Sequence, residues 1–121
     1  MMYFDPNQHA RLVDSHGRLF GLVDILRIEN AMILGTFRAS EAYESVSPLF
    51  RSLEEAANEQ LFHEAERWSD EIESLGLSLQ SEDGEPRLAL QDVQIMNNHE
   101  FSCRVPRLRL VQIAAEAAEA T

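Results

Sequence analysis

The sequence predicts an α+β fold made of an antiparallel β-meander, one long central amphipathic helix and a second antiparallel β-meander. Two observations predict it. Short runs that alternate apolar and polar residues lie on both sides of a helical block, and the block carries apolar residues at spacings of three and four. Six strands are predicted, enough to close into a partial barrel.

Length and composition favour one domain. The chain has 121 residues, 45% of them hydrophobic and 26% charged, so it can bury a core without disulfides or metals. We assign residues 1–112 to this domain and expect the Ala/Glu-rich tail, residues 113–121, to fray. No secretory signal and no membrane-spanning apolar run are visible, which predicts a cytoplasmic protein.

The first meander has three predicted strands: residues 11–14, 19–29 and 32–38. Gly17 can supply the positive φ that the first turn needs, and a turn at residues 29–31 follows the second strand. The second strand has apolar residues on both faces. This pattern indicates a shift of phase at a β-bulge near Gly21 or Asp24.

The helical block extends from Ser40 to Leu75. Ser40 is the predicted N-cap of a first short helix, and Ser47 followed by Pro48 marks the start of the main helix. One apolar stripe then follows: Phe50, Leu53, Ala57, Leu61, Ala65, Trp68, Ile72 and Leu75. With Gly76 as its C′ residue, the pattern predicts one continuous helix, about 42 Å long at about 1.5 Å per residue.

The second meander is predicted from residues 77–80, 87–96 and 101–105, with an edge strand or extended tail at 107–111. Residues 82–84 are Glu-Asp-Gly, a hairpin-turn signal. The inward phase of the 87–96 strand changes along its length, which predicts a bulge near Gln91 and Asp92. Asn97 and Asn98 tolerate the left-handed backbone of the next turn.

Two partial resemblances accompany these patterns. The stretch from residue 14 to residue 26, with Gly17 and the segment Gly-Leu-Val-Asp at 21–24, resembles the first hairpin of a PRC-barrel domain, although the long helix departs from that family. In size, acidity and mixed α+β content the chain is similar to small dimeric secretion chaperones, without a shared motif. Neither resemblance assigns a family.

The charge excludes several partners. The formal net charge is −11, and all ten basic residues are Arg. Because binding to phosphate backbones and anionic lipids is largely electrostatic, we expect no nucleic-acid and no membrane partner. The absence of Lys also excludes Schiff-base chemistry and a P-loop lysine.

Catalytic and metal-binding signals are weak. His63 lies near Glu59 and Glu66 at helical spacings, which a solvated polar face explains better than a metal site. The single Cys103 alternates with apolar neighbours, which predicts a buried, unreactive thiol. Asp24 and Asp92 lie within strands and would serve acid–base chemistry only in a shared buried site. The sequence therefore predicts no catalytic residue, no metal and no cofactor.

Two groups of residues remain as candidate contacts. Arg104, Arg107 and Arg109 form the only basic cluster, able to bind an anionic ligand or, as we slightly favour, to pair with the acidic helix. Residues 41–75 hold ten acidic and two basic residues, a local net charge of −8.

The helix supplies the second group. On an unbroken helix Glu54 lies inside the apolar stripe, and Phe62 lies off it among acids. We assign a partner-binding role to one set of helix residues: Glu54, Glu59, Phe62, His63 and Glu66. A helix longer than the domain would overhang its sheet, bend or be covered by a second copy. We predict a homodimer in which the helix contributes to the interface.

Three functions stay open. The first is a non-enzymatic protein-interaction module, as an adaptor, chaperone-like or inhibitory protein. The second is a small-ligand-binding or sensory domain that uses the concave sheet and the Arg cluster. The third is an enzyme that uses strand carboxylates. A pocket holding Asp24, Asp92 or the Arg cluster would favour the second or third, and an apolar patch beside Phe62 the first.

Overall fold

The computed structural model describes residues 8–81 and 87–105 of the chain. Its elements in chain order are β1 (His9–Val13), β2 (Leu19–Glu29), β3 (Met32–Ala39), a 3₁₀ helix (Glu41–Ser45), α1 (Ser47–Asn58), α2 (Phe62–Glu73), β4 (Ser78–Ser81), β5 (Arg87–Ala89), β6 (Gln91–Met96) and β7 (Glu100–Arg104). The α+β class is confirmed. The predicted hairpin turn at 82–84 and the segments 107–111 and 113–121 lie outside the described residues.

The seven strands of the described residues belong to one antiparallel sheet that curls into a half-barrel, in the order β5-β4-β1-β2-β3-β7-β6. The first meander is confirmed. The second is wrong, because β4 and β5 extend the sheet beyond β1 whereas β6 and β7 extend it beyond β3. The predicted strand at residues 87–96 is two strands, β5 and β6, which Leu90 joins and which lie at opposite edges of the sheet. Since a single residue joins β5 to β6, the sheet must curl until its opposite edges approach each other.

Bulges shift the phase of β2 as predicted, although at neighbouring positions. The pairing of β1 with β2 omits Phe20, and the pairing of β2 with β3 omits Leu26. The extra residue at each place returns the following apolar side chains to the core. In β6 the register shifts after Gln91, and Asp92 has a φ of 50°, so the predicted bulge is confirmed.

A buried carboxylate organises the turn between β1 and β2. Asp14 is almost fully buried, and its Oδ1 accepts hydrogen bonds from the backbone N–H groups of His16 and Arg18. Its Oδ2 accepts a hydrogen bond of 2.7 Å from Arg18 Nε. Gly17 has a φ of 81°, as the turn requires.

The predicted long helix is wrong, because the chain breaks between α1 and α2. Gln60 has a φ of 58°, and two backbone hydrogen bonds close the end of α1: Gln60 N–H to Ala57 O, and Leu61 N–H to Ala56 O. This is the Schellman pattern, here with Gln instead of Gly at C′. The break lets both helices pack against β6 and against each other, which one straight helix could not do.

The core lies between the concave face of the sheet and the helices. Phe37 of β3 makes an edge contact with Tyr43 of the 3₁₀ helix, with 4.9 Å between ring centroids, and Tyr43 contacts Phe50 of α1 at 5.8 Å. This aromatic row joins the sheet to α1. The Tyr43 hydroxyl is buried without a hydrogen-bond partner among the described residues. Burial raises the pKa of Tyr43 to about 12, with smaller opposing influences from Arg51 and Glu54.

Candidate functional site

The turn between α1 and α2 carries the largest exposed aromatic side chain among the described residues. Phe62 is 76% exposed and Leu61, its neighbour at the break, is 40% exposed. Phe62 is the first residue of α2 and lies about 100° around the helix from Leu61. Leu61 is in line with the apolar stripe that packs against the core through Ala65, Trp68 and Ile72. The stripe therefore extends past the surface that the sheet covers. We call Leu61 and Phe62 the helix corner.

Acidic residues surround the helix corner. Glu59, His63 and Glu66 are all exposed beside it, as the predicted partner-binding set requires. Within residues 8–81 and 87–105, no ion pair involves a carboxylate of α1 or α2. The guanidinium of Arg67 lies 5.0 Å from the Trp68 ring centroid. The helices thus present negative charge that the described part of the chain leaves uncompensated.

Glu54 belongs to a different environment from the rest of that set. Its side chain is half-buried, and Oε1 accepts a hydrogen bond of 3.1 Å from the backbone N–H of Asn97 in the β6–β7 turn. The sequence places Glu54 in the apolar stripe but cannot reveal this acceptor role, because Asn97 is 43 residues away. Glu54 is thus an internal contact between α1 and the sheet.

A second surface is an open groove of about 250 Å³ between the helices and the strands β3, β6 and β7. Its apolar wall comes from Leu53, Val93 and Met32, and its hydroxyls come from Ser69 and Ser102. We call this the edge groove. It unites residues from five separate elements, so no local pattern in the sequence could predict it.

An ion pair lies in the edge groove. Arg104 Nε is 3.3 Å from Asp92 Oδ2, and both side chains are more than half exposed. Arg104 therefore pairs with a strand carboxylate and not with the acidic helix. Arg107 and Arg109, the other members of the predicted basic cluster, lie outside the described residues.

The end of α2 adds negative charge near this pair. Burial raises the pKa of the Glu73 carboxyl, and the carboxylates of Asp92 and Asp70 raise it further. Like charges thus lie close together on the Asp92 side of the groove. A positive group bound there would be stabilised.

Asp24 and Asp92 do not share a site. Asp24 is on β2, where it contacts His9 Nδ1 and lies 3.6 Å from Arg38 Nη2. Since β3 and β7 separate β2 from β6, three strand spacings, or about 14 Å measured along the sheet, lie between the two strands. They cannot act as a paired acid and base.

The remaining candidates are structural or isolated. Cys103 is fully buried, and burial raises the pKa of its thiol to about 12. Among the described residues, no group of three or more His, Cys, Asp or Glu side chains is arranged to hold a metal ion. The helices of that same part of the chain are all too short and too polar to cross a membrane.

Comparison with protein-family models, curated proteins and solved structures finds no match to this chain. The resemblance of residues 14–26 to a PRC-barrel hairpin is thus limited to one turn and its strands. The helix corner and the edge groove are the two candidate functional surfaces among the described residues.

Proposed function

We propose that this protein is a non-enzymatic protein-interaction module that docks a partner on the helix corner. The observation that carries the proposal is the exposure of Phe62 beside Leu61, the exposed end of an apolar stripe that continues into the core. Burying such a side chain in a partner's cleft contributes about 1.5–3 kcal/mol. A single aromatic anchor of this kind commonly dominates an interface.

The charge around the helix corner specifies the partner's chemistry. Glu59, Glu64 and Glu66 are exposed, and no ion pair within the described residues neutralises them. A partner with an apolar cleft bordered by Arg or Lys side chains complements this surface. Opposite charges also steer the encounter, so salt should slow association.

A photo-crosslinking amino acid at position 62 tests the proposal. Position 26 is the matched control, because Leu26 is also apolar and 55% exposed. It lies at a bulge of β2 and not at the helix corner. We expect a specific crosslinked protein from position 62 and none from position 26. The identified protein is then purified and titrated against the unmodified chain.

The titration decides between docking and chance capture. We expect Phe62→Asp to weaken binding at least tenfold and Leu26→Asp to change it less than twofold, and added salt to weaken it. Equal crosslinking from both positions, or equal effects of both substitutions, would show that the helix corner is not the docking site.

A further inference from the structure

The edge groove contains both charges that a zwitterion needs, side by side and beside an apolar wall. Asp92 offers a carboxylate, and the Arg104 guanidinium lies 3.3 Å from it. That contact is made by Nε of Arg104, and the described part of the chain offers the guanidinium no carboxylate besides Asp92. The outer fork of the guanidinium is thus available to a second carboxylate.

This ion pair can open at little cost. Because both side chains are more than half exposed, solvent screens their attraction and the pair contributes little stability. A ligand that brings an ammonium to Asp92 and a carboxylate to Arg104 replaces one exposed pair with two charge-assisted contacts. The negative charge of Glu73 near Asp92 further favours the ammonium on that side.

The backbone holds Asp92 in place for this role. Asp92 is the bulge residue of β6, and its φ of 50° is costly for most residues but tolerated by Asp. Glycine would relieve that strain and would remove the carboxylate. Asp92 therefore tolerates the bulge conformation and also places a carboxylate in the edge groove.

We propose that the edge groove binds a small apolar α-amino acid, with its carboxylate on Arg104, its ammonium on Asp92 and its side chain against Leu53, Val93 and Met32. The groove, at about 250 Å³, suits a ligand smaller than a drug-sized molecule. The hydroxyls of Ser69 and Ser102 supply further polar contacts for the ligand's charged groups. This site is separate from the helix corner and does not depend on the proposed docking function.

The test uses L-leucine and two analogues that each lack one charge, N-acetyl-L-leucine and L-leucinamide. Each is titrated into the full chain while backbone amide resonances are followed. We expect L-leucine to shift the resonances of residues 92–94 and 102–104 saturably, and each analogue to bind at least tenfold more weakly. This comparison needs no variant, so it does not depend on how a substitution affects folding.

Variants then assign the two charges. Asp92→Asn keeps a residue that tolerates the bulge, and Arg104→Met keeps the aliphatic length, so we expect each to weaken L-leucine binding at least tenfold. The matched control is Arg27→Met, which breaks a similarly exposed ion pair with Glu29 on the β2–β3 hairpin, and should change binding less than twofold. Equal binding of leucinamide would show a simple cation site, and equal binding of acetyl-leucine a simple anion site. Either result, or no saturable shift at all, overturns the proposal.

Discussion

Glu54 of α1 lies against the β6–β7 turn, with its Oε1 3.1 Å from the backbone nitrogen of Asn97. Asn97 and Asn98 both have left-handed backbones, with φ of 54° and 56°. The carboxylate therefore satisfies a backbone donor in the three-residue turn 97–99 and fixes α1 over the edge strand β6. One acidic residue within an apolar stripe thus joins two elements that are distant in sequence.

Removing this contact should destabilise the fold. Glu54→Ala is expected to lower the free energy of unfolding by about 1 kcal/mol, because the Asn97 N–H loses a charged acceptor. Glu54→Gln retains an acceptor oxygen and should lose less. The matched control is Glu55→Ala on the exposed face of α1, for which we expect less than about 0.5 kcal/mol. Urea denaturation measures both, and equal losses at the two positions would contradict the assigned contact.

The Asp14 carboxylate should make stability depend on pH. Burial works to raise its pKa, but the hydrogen bonds from Arg18 and His16 outweigh burial and lower it. A pKa lowered by folding contributes stability above the unfolded value of about 3.9, and that contribution is lost as pH falls through the folded pKa.

Asp14→Asn tests this dependence. We expect the variant to be less stable than the parent at pH 7 by about 1–2 kcal/mol. The amide has one acceptor atom instead of two, so it cannot accept from both the backbone N–H groups and Arg18 Nε–H. The difference should shrink below about pH 4. Thermal unfolding across this pH range measures it, and a difference that stays constant down to pH 2 would refute the role of the charge.

Gln60 adopts a left-handed backbone that glycine adopts without strain. Gln60→Gly should therefore raise the free energy of unfolding. Relief of backbone strain contributes about 1 kcal/mol, and the greater conformational entropy of glycine in the unfolded chain offsets part of it. Glu55→Gly, in the interior of α1, should instead lower it by about 1 kcal/mol. Chemical denaturation compares the two. A loss of stability in Gln60→Gly equal to that of the control would mean that the helix does not break at residue 60.

The thiol of Cys103 should react slowly in the folded protein. Cys103 is fully buried on β7, and burial raises its pKa to about 12, so little reactive thiolate forms at pH 8. We expect labelling by Ellman's reagent to take place only as fast as the protein opens, and to become immediate in guanidinium chloride. Fast labelling without denaturant would place the thiol at the surface.

Association of two copies through the helix corner is a prediction. The continuous 42 Å helix does not exist, and the exposed helix corner is what remains to support a dimer. Two copies with a charge of −11 each repel, so any dimer should form more readily at high salt and weaken with Phe62→Asp. Light scattering at high micromolar concentration measures it. A monomer mass in both low and high salt would rule the homodimer out.

The sequence by itself determined the local conformation of the backbone. The turns at Gly17 and Asn97, the bulge at Asp92 and the bounds of β2 follow from the conformations that one or a few residues prefer. The buried thiol of Cys103 follows from the alternation of its neighbours. These features need no knowledge of what lies across the core, since their energies arise within a few residues of the chain.

Pairing between distant segments decided the rest. An apolar stripe with spacings of three and four is compatible with one long helix or with two short ones. The chain breaks at Gln60 because α1 and α2 both pack against β6, which is a tertiary contact. Alternation in residues 87–96 predicts a strand but not its neighbours in the sheet. Residues before Leu90 pair with β4 and residues after it pair with β7, because the sheet curls until its two edges approach each other. The exposure of Phe62 results from the helix break, and the ion pair between Arg104 and Asp92 results from the pairing of β6 with β7. Burial and strand pairing depend on residues that are remote in sequence, so no local pattern specifies them.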